Sequence, residues 1–134
     1  MAVYAQVIEP SEQRWQALEG AAGSKAALDE IRHDVETGKA SMIDVHGEAA
    51  GTAVVWIEPE HESGPELVIA LGAGRGARAL IPWIKEFSKQ AQAMTVRTHL
   101  SRAGLRRLYE RNGFTAAGLD DQGYMIMRYT HGRQ

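Results

Sequence analysis

A glycine- and arginine-rich stretch at residues 72–78 follows directly on the apolar run 67–71, and an amphipathic segment, 80–91, comes next. Glycine lets a backbone turn sharply and approach a ligand closely, and the amide groups at the start of a helix attract anions. The two arginines within the stretch keep their charge at physiological pH. The order strand, glycine-arginine loop and helix is typical of a phosphate-binding site, although a solvated surface turn gives a similar pattern.

Charge is distributed unevenly along the chain, although the net charge at pH 7 is only −2. Residues 1–74 contain 13 acidic and 4 basic residues, whereas residues 75–111 contain 9 basic and 2 acidic ones. A basic segment that begins inside the glycine stretch favours an anionic partner for that part of the chain. The acidic loop 58–66 favours a cationic partner elsewhere.

The length of 134 residues predicts a single domain, residues 1–134, with its own hydrophobic core. The sequence contains no cysteine, which excludes disulfides, thiolate metal sites and a cysteine nucleophile. The five histidines share no spacing typical of metal ligands, so no metal is expected. We expect a cytoplasmic protein, because the sequence has neither a signal-peptide pattern nor a long apolar run. A phage protein in the host cytoplasm or in a virion is equally compatible.

Apolar periodicity and turn residues predict the element order β-α-α-β-β-β-α-β-α-β-β. Ser24 is the expected N-cap of the second helix. The third helix is expected to begin near Ala79, because proline is tolerated in a first turn and Pro82 would break a longer ladder. The central strand is expected at 66–71, before the glycine loop. The fold class is therefore α/β of the α+β type, a mixed sheet with helices on its faces.

Two segments resemble the GCN5-related N-acetyltransferase (GNAT) superfamily over residues 2–129. One is the glycine loop after the fourth strand, and the other is Leu-Tyr-Glu-Arg-Asn-Gly-Phe at 108–114, after the fifth strand. The resemblance implies a mostly antiparallel sheet of six to seven strands with a splay between the fourth and fifth. It also implies an acetyl-CoA-dependent N-acetyltransferase that acts on a small-molecule or peptide amine, with acetyl-CoA as co-substrate.

The resemblance also implies which residues bind the co-substrate. The backbone of the splayed fourth strand would receive the amides of the pantetheine, and the amides of the loop would bind the pyrophosphate. Arginines near the loop and in the later motif would add positive charge. The implied cofactor-binding residues are Ile69, Ala70, Leu71, Gly74, Arg75, Gly76, Ala77, Arg78 and Arg102.

Tyr109 is the implied general acid, which would protonate the leaving thiolate. A phenol with a pKa near 10 suits a thiolate whose conjugate acid titrates in the same range. The other interpretation of Tyr109 is a core tyrosine with its hydroxyl at the rim. Glu58 and Glu66 are the candidates for the general base, and a charged loop edge is the alternative for both. Since no cysteine can carry an acyl group, the amine would attack directly in a ternary complex.

Three departures from the family pattern support an alternative function. Leu71 stands where a polar loop residue is usual, Pro82 is expected to move the helix away from the glycines, and Arg102 replaces a frequent asparagine. The alternative is a non-catalytic GNAT-like fold that serves as a phage structural or interaction protein, as a homo-oligomer or with a virion partner. Nucleic-acid binding by the arginines of 97–111 is disfavoured, because few aromatics lie between them and the pI is about 6.2.

Overall fold

In a computed structural model, residues 3–22, 24–59, 64–100 and 103–132 are described. They form a seven-stranded sheet with α-helices on both faces. The strands are β1 (Val3–Val7), β2 (Ser41–Gly47), β3 (Ala50–Glu58), β4 (Glu66–Arg75), β5 (Thr95–Leu100), β6 (Thr115–Leu119) and β7 (Met125–Thr130). The helices are α1 (Glu12–Ala22), α2 (Lys25–Glu36), α3 (Ala77–Gln90) and α4 (Arg106–Arg111), and a 3₁₀ turn, Ala103–Leu105, precedes α4.

The strands lie in the order β1-β2-β3-β4-β5-β7-β6. Neighbouring strands are antiparallel except β4 and β5, which pair in parallel with α3 as their crossover. A parallel pair requires such a crossover, whereas antiparallel strands can be joined by short turns. The predicted element order and the predicted mixed, mostly antiparallel sheet are both confirmed.

Helices cover the two faces of the sheet, and strand alternation decides which side chains meet them. Met42 of β2 packs with Trp15 and Leu18 of α1, whereas its neighbour Ile43 packs towards Trp83 of α3. The larger core lies on the α3 face, where helices α3 and α4 meet β4, β5 and β7. Its buried members are Leu67, Ile81, Ile84, Ala93, Val96, Leu100, Tyr109, Phe114 and Met127.

Short-range signals in the sequence place two helix ends correctly. Ser24 caps α2, and its hydroxyl oxygen accepts a hydrogen bond from the amide of Ala27 at 3.1 Å. Asn112 caps the end of α4, and Gly113 follows with a φ of +89°. A positive φ is costly for residues with a Cβ, so glycine suits the position directly after this helix.

Helix α3 begins at Ala77 and not near Ala79, so the expected effect of Pro82 is wrong. Pro82 is the sixth residue of the helix and is exposed to solvent. A proline inside a helix removes one hydrogen bond, here to the carbonyl of Arg78, which is four residues earlier. This carbonyl lies in the first turn of the helix, where Arg78 is exposed. The helix therefore starts directly after Gly76.

The expected glycine loop is largely a strand. β4 continues to Arg75, and its second half pairs with β3 in the register Ala53↔Gly72, Thr52↔Ala73, Gly51↔Gly74 and Ala50↔Arg75. Glycine and alanine have low strand propensity, but an available partner strand outweighs local preference. The turn into α3 is confined to Gly76, which has a φ of +87°.

We expect Gly76→Ala to lower the free energy of unfolding by more than the backbone strain of a positive φ alone would. A Cβ at this position would lie 2.5 Å from the carbonyl oxygen of Glu48 and 2.7 Å from the Cα of Ala49. Gly38→Ala is the matched control, since Gly38 has a φ of +83° with open space around it. The control should lose about 1–2 kcal/mol in urea unfolding and Gly76→Ala clearly more. Equal losses would contradict close packing of Gly76 on the β2–β3 turn.

Candidate active site

Strands β4 and β5 separate partway along their length. Their parallel ladder runs from Glu66↔Thr95 to Ile69↔Thr98 and ends there, although β4 continues for six more residues. At the same point the register of β4 against β3 shifts, because Val54 is opposite Leu71 and Val55 is opposite Ile69. Ala70 is therefore the extra residue of a β-bulge, which bends its strand and increases the local twist. The bulge coincides with the opening of a gap in the sheet.

Beyond Ile69, one edge of β4 faces this gap. In an antiparallel ladder, alternate residues direct their N–H and C=O groups to the partner strand and the residues between them direct theirs away. β4 is paired with β3 on one side, so alternate backbone groups of 70–75 point towards the gap. Ile69 and Ala70 line the cleft there, while Leu71 and Gly74 are described by their backbone only. The edge offers hydrogen-bonding groups to an extended ligand.

The start of α3 lies at the end of this edge. The first amide groups of a helix have no acceptor within the helix, and the helix dipole favours an anion beside them. Here those amides belong to Ala77 and Arg78, directly after Gly76. The side chains of Arg75 and Arg78 are exposed on either side of the turn. Of the predicted pyrophosphate-binding residues, Arg75 and Gly76 line the cleft.

A cleft of about 630 Å³ passes through the gap from one face of the sheet to the other. On the α3 face it is bordered by Leu80, Trp83 and Phe87, and on the α1–α2 face by Ala27 and Ile31. The gap thus joins two openings on opposite sides of the protein. The lining combines apolar side chains with polar and charged ones, among them Arg97 and Asp121.

Tyr109 lies at the gap on the α3 face and is 7% exposed. Its ring packs edge-on against Phe114 with the centroids 5.1 Å apart, and its hydroxyl hydrogen-bonds with the side chain of Thr98. Burial raises the pKa of Tyr109 above the ordinary value of 10.0, and the bond with Thr98 offsets only part of that rise. The phenol is therefore protonated at neutral pH and able to donate a proton into the cleft.

A histidine–aspartate pair lines the same cleft. Nδ1 of His99, near the end of β5, lies 2.7 Å from Oδ2 of Asp120, in the turn between β6 and β7. Sequence reasoning missed this pair, because no carboxylate is near His99 in the sequence. The available signal is the run Asp-Asp-Gln-Gly at 120–123, whose composition is typical of a turn. Its proximity to His99 depends on β7 pairing beside β5, which no local pattern specifies.

Glu66 does not suit the role of general base that was predicted for it. Its side chain is 0% exposed, and Oε2 accepts hydrogen bonds from Thr95 and Arg128, both at 2.8 Å. Arg97 lies 3.6 Å from Oε1. Burial alone would raise the pKa of Glu66, but these hydrogen bonds and the two arginine charges hold it below the ordinary 4.5. This carboxylate ties β4, β5 and β7 together instead of accepting protons from a substrate.

Glu58 is exposed at the end of β3, opposite Glu66 in the β3–β4 register. Neither glutamate is among the described residues that line the cleft. Residues 60–63 of the acidic loop that is expected to attract a cationic acceptor, 58–66, are outside the described residues. The structure therefore gives Glu58 no contact with the cleft.

Two of the arginines of 97–111 lie beside carboxylates in the described part of the chain. Arg97 pairs with buried Glu66, and Arg106 lies 3.6 Å from Glu110. Arg102 is outside the described residues. Within the described ranges, no group of three or more potential metal ligands occurs. None of the described helices has the length and apolar character needed to cross a membrane.

No protein-family model matches the chain, and no curated protein matches it in sequence. Solved structures match over nearly its whole length. An acetyltransferase from Bacillus subtilis in complex with CoA has a TM-score of 0.67 at 14% identity, covering 96% of this chain and 99% of that one. A GNAT family acetyltransferase from Elizabethkingia anophelis with acetyl-CoA bound has a TM-score of 0.65 at 12% identity, covering 96% and 97%. The NatC complex bound to Gag peptide and CoA has a TM-score of 0.63 at 9% identity, covering 97% and 99%.

The architecture is therefore of the acetyltransferase type, in which two parallel strands separate partway along their length. The protein has the GNAT fold, as the resemblance in its sequence implied. At these identities the likeness concerns the fold alone.

We expect Glu66→Gln to destabilise the protein by about 3 kcal/mol at pH 7, because it leaves two arginines around an uncharged group. Folding lowers the Glu66 pKa, so its stabilising contribution is present above about pH 4.5 and is lost as the pH falls through the lowered value. The difference from wild type should therefore shrink in acid. Urea unfolding at pH 7 and pH 3 measures both effects.

Glu58→Gln is the control, since this glutamate is the exposed neighbour of Glu66 across the strand pair. It should change the free energy of unfolding by no more than about 0.5 kcal/mol. A Glu66→Gln protein as stable as this control would remove the structural role assigned to Glu66.

Proposed function

We propose that the protein is an acetyl-CoA-dependent N-acetyltransferase that transfers an acetyl group to an amine by direct attack in a ternary complex. The observation that carries the proposal is the parting of β4 from β5 after the Ile69↔Thr98 pair, with Tyr109 buried beside it. A single cleft there reaches both faces of the sheet. Two reactants that enter from opposite faces can meet within it.

The proposal is supported by what the structurally similar proteins bind. The Bacillus subtilis acetyltransferase is in complex with CoA, and the Elizabethkingia anophelis protein holds acetyl-CoA. The NatC complex binds a peptide as well as CoA. By analogy, the acceptor here is a small-molecule or peptide amine. A cytoplasmic location, where acetyl-CoA is available, fits this activity and is part of the proposal.

The residues of this chain suit the parts of acetyl-CoA. An extended arm with amide groups matches the edge of β4 at Ile69, Ala70 and Leu71, where backbone groups face the gap. A diphosphate matches the first turn of α3, at Ala77 and Arg78, with Arg75 beside it. Bound there, acetyl-CoA supplies the acetyl group as a reactive thioester. The α3 start that Pro82 was expected to displace is in place, which removes one argument for a non-catalytic protein.

Tyr109 is assigned the role of general acid. Its raised pKa keeps the phenol protonated, and the buried hydroxyl is held by Thr98 at the gap. A positioned acid contributes about 10²- to 10⁴-fold to a rate. Transfer is direct because the sequence has no cysteine to carry an acyl group.

We expect CoA to bind the wild-type protein with a dissociation constant below 1 mM in calorimetry. Arg75→Gln and Arg78→Gln should each weaken binding about tenfold, since a hydrogen bond to a charged group contributes about 1.5 kcal/mol or more. Lys39→Gln is the control, because it removes a positive charge at an exposed position outside the described cleft lining. Absence of binding at millimolar CoA would favour the non-catalytic alternative, in which the fold serves as a structural or interaction protein.

Tyr109→Phe should lower turnover about 100-fold without changing the affinity for CoA. The assay follows thiol release from acetyl-CoA with tryptamine, spermidine and a lysine-containing peptide as acceptors. Tyr129→Phe is the matched control, since Tyr129 packs against Phe114 but does not line the cleft. If Tyr109→Phe keeps turnover within twofold of wild type, Tyr109 is not the acid.

A further inference from the structure

We propose that His99 is the general base that deprotonates the acceptor amine, and that Asp120 is the residue that positions it. This inference rests on the proposed acetyltransferase function and assigns a role that neither Glu58 nor Glu66 fulfils. His99 lies near the end of β5 and lines the cleft together with Asp120.

The carboxylate of Asp120 is held rigidly. Its Oδ1 accepts hydrogen bonds from the amides of Gln122 at 2.8 Å and Tyr124 at 2.9 Å, which close the β6–β7 turn around it. Its Oδ2 lies 2.7 Å from Nδ1 of His99. Burial alone would raise the pKa of Asp120, but the bonds from His99 and from these amides lower it. Asp120 is therefore ionised at neutral pH.

The state of Asp120 decides the tautomer of His99. An ionised carboxylate can only accept hydrogen bonds, so Nδ1 of His99 must carry the hydrogen that lies between them. In the neutral ring the lone pair then belongs to Nε2. The carboxylate also stabilises the imidazolium that forms once Nε2 has taken a proton. A base in this arrangement has its proton-accepting atom and its orienting partner already in place.

His99 and Tyr109 line the cleft from opposite faces of the sheet. Successive side chains of a strand point to opposite faces, and Thr98, which precedes His99, hydrogen-bonds with Tyr109 on the α3 face. His99 therefore points to the α1–α2 face, as does Arg97 two residues earlier in its contact with Glu66. Both His99 and Tyr109 line the cleft. An acyl carbon held in the gap would have the acid on one side and the base on the other.

The transfer step balances with these two residues. A neutral amine forms a bond from its nitrogen to the acyl carbon, and Nε2 of His99 takes a proton from that nitrogen. The bond between carbon and sulfur breaks, its electron pair stays on sulfur, and the Tyr109 phenol gives the sulfur a proton. The products are an amide and a thiol. His99 then releases its proton to water and Tyr109 regains one, which restores the protein.

The surroundings of His99 contain other ionisable groups, which matter for a pH profile. Arg97 precedes it on the same face of β5, with Glu66 and Arg128 behind that arginine. The ionisable groups that line the cleft with it are Arg75, Arg97, Tyr109, Asp120, Asp121 and Tyr124. A fall in rate towards acid pH that is present in wild type and lost in His99→Gln therefore identifies the base among these groups.

The experiment compares wild type, His99→Gln and Asp120→Asn, with His33→Gln as a control at an exposed histidine on α2. Long-range ¹H–¹⁵N spectra of the histidine rings report the tautomer without any acceptor, and His99→Gln assigns the signal. Calorimetry measures CoA affinity, and thiol release from acetyl-CoA with the three test amines gives kcat and KM from pH 5 to 9.

We expect an Nδ1–H tautomer for His99 in wild type and an Nε2–H tautomer in Asp120→Asn, whose amide can donate to Nδ1. His99→Gln and Asp120→Asn should lower kcat about 100-fold with unchanged CoA affinity, and His99→Gln should lose the fall in rate towards acid pH. An Nε2–H tautomer in wild type, or His99→Gln turnover within threefold of the His33→Gln control, overturns the role of the pair while leaving the acetyltransferase function in place. Wild-type protein that fails to bind CoA overturns both.

Discussion

The buried carboxylate of Glu66 connects strands β4, β5 and β7 at the end of the sheet where the parallel ladder begins. It joins β4 to β5 through Thr95 and Arg97, and to β7 through Arg128. A buried charge is tolerated only when it is paired and hydrogen-bonded, and here residues of β5 and β7 supply those partners. The parallel ladder begins beside this network and ends after four residue pairs. The strands are thus fixed at one end and separate at the other.

The separation has a local cause as well as this fixed end. The bulge at Ala70 adds a residue to β4 where the pairing with β5 stops, and the following residues stay paired with β3. β4 therefore separates from β5 while it stays paired with β3. Gly76 then turns the chain into α3, where its lack of a side chain lets the turn pack against Glu48 and Ala49. The gap and the helix start are therefore positioned by the same strand.

The parts of this architecture that short-range chemistry controls could be predicted from the sequence. Ser24 caps a helix wherever the fold places it, and the order of strands and helices follows from apolar periodicity. The glycine segment could not be predicted as a strand, because its residues prefer loops and only β3 supplies the pairing.

The polar pairs in and beside the site join residues that are far apart in the chain. Glu66 and Arg128 are 62 positions apart, and His99 and Asp120 are 21 apart. Contacts of this kind follow from strand register, which the local pattern does not reveal. For that reason the sequence predicts Glu58 and Glu66 as candidates for the base and does not reveal the histidine–aspartate pair that lines the cleft.

The edge of β4 after Ile69 that faces the gap presents hydrogen-bonding groups at a regular spacing. Backbone groups that point the same way recur every second residue, at intervals of about 6.6 Å along a strand. A molecule lying against that edge is matched by the spacing of its own donors and acceptors, whatever its side groups are. Thioesters with a suitably spaced amide arm would be aligned along the gap, whereas a simple thioester of the same acid would gain nothing from it. Selection among acyl donors would then be a property of main-chain geometry, and substitutions of side chains along β4 would alter it little.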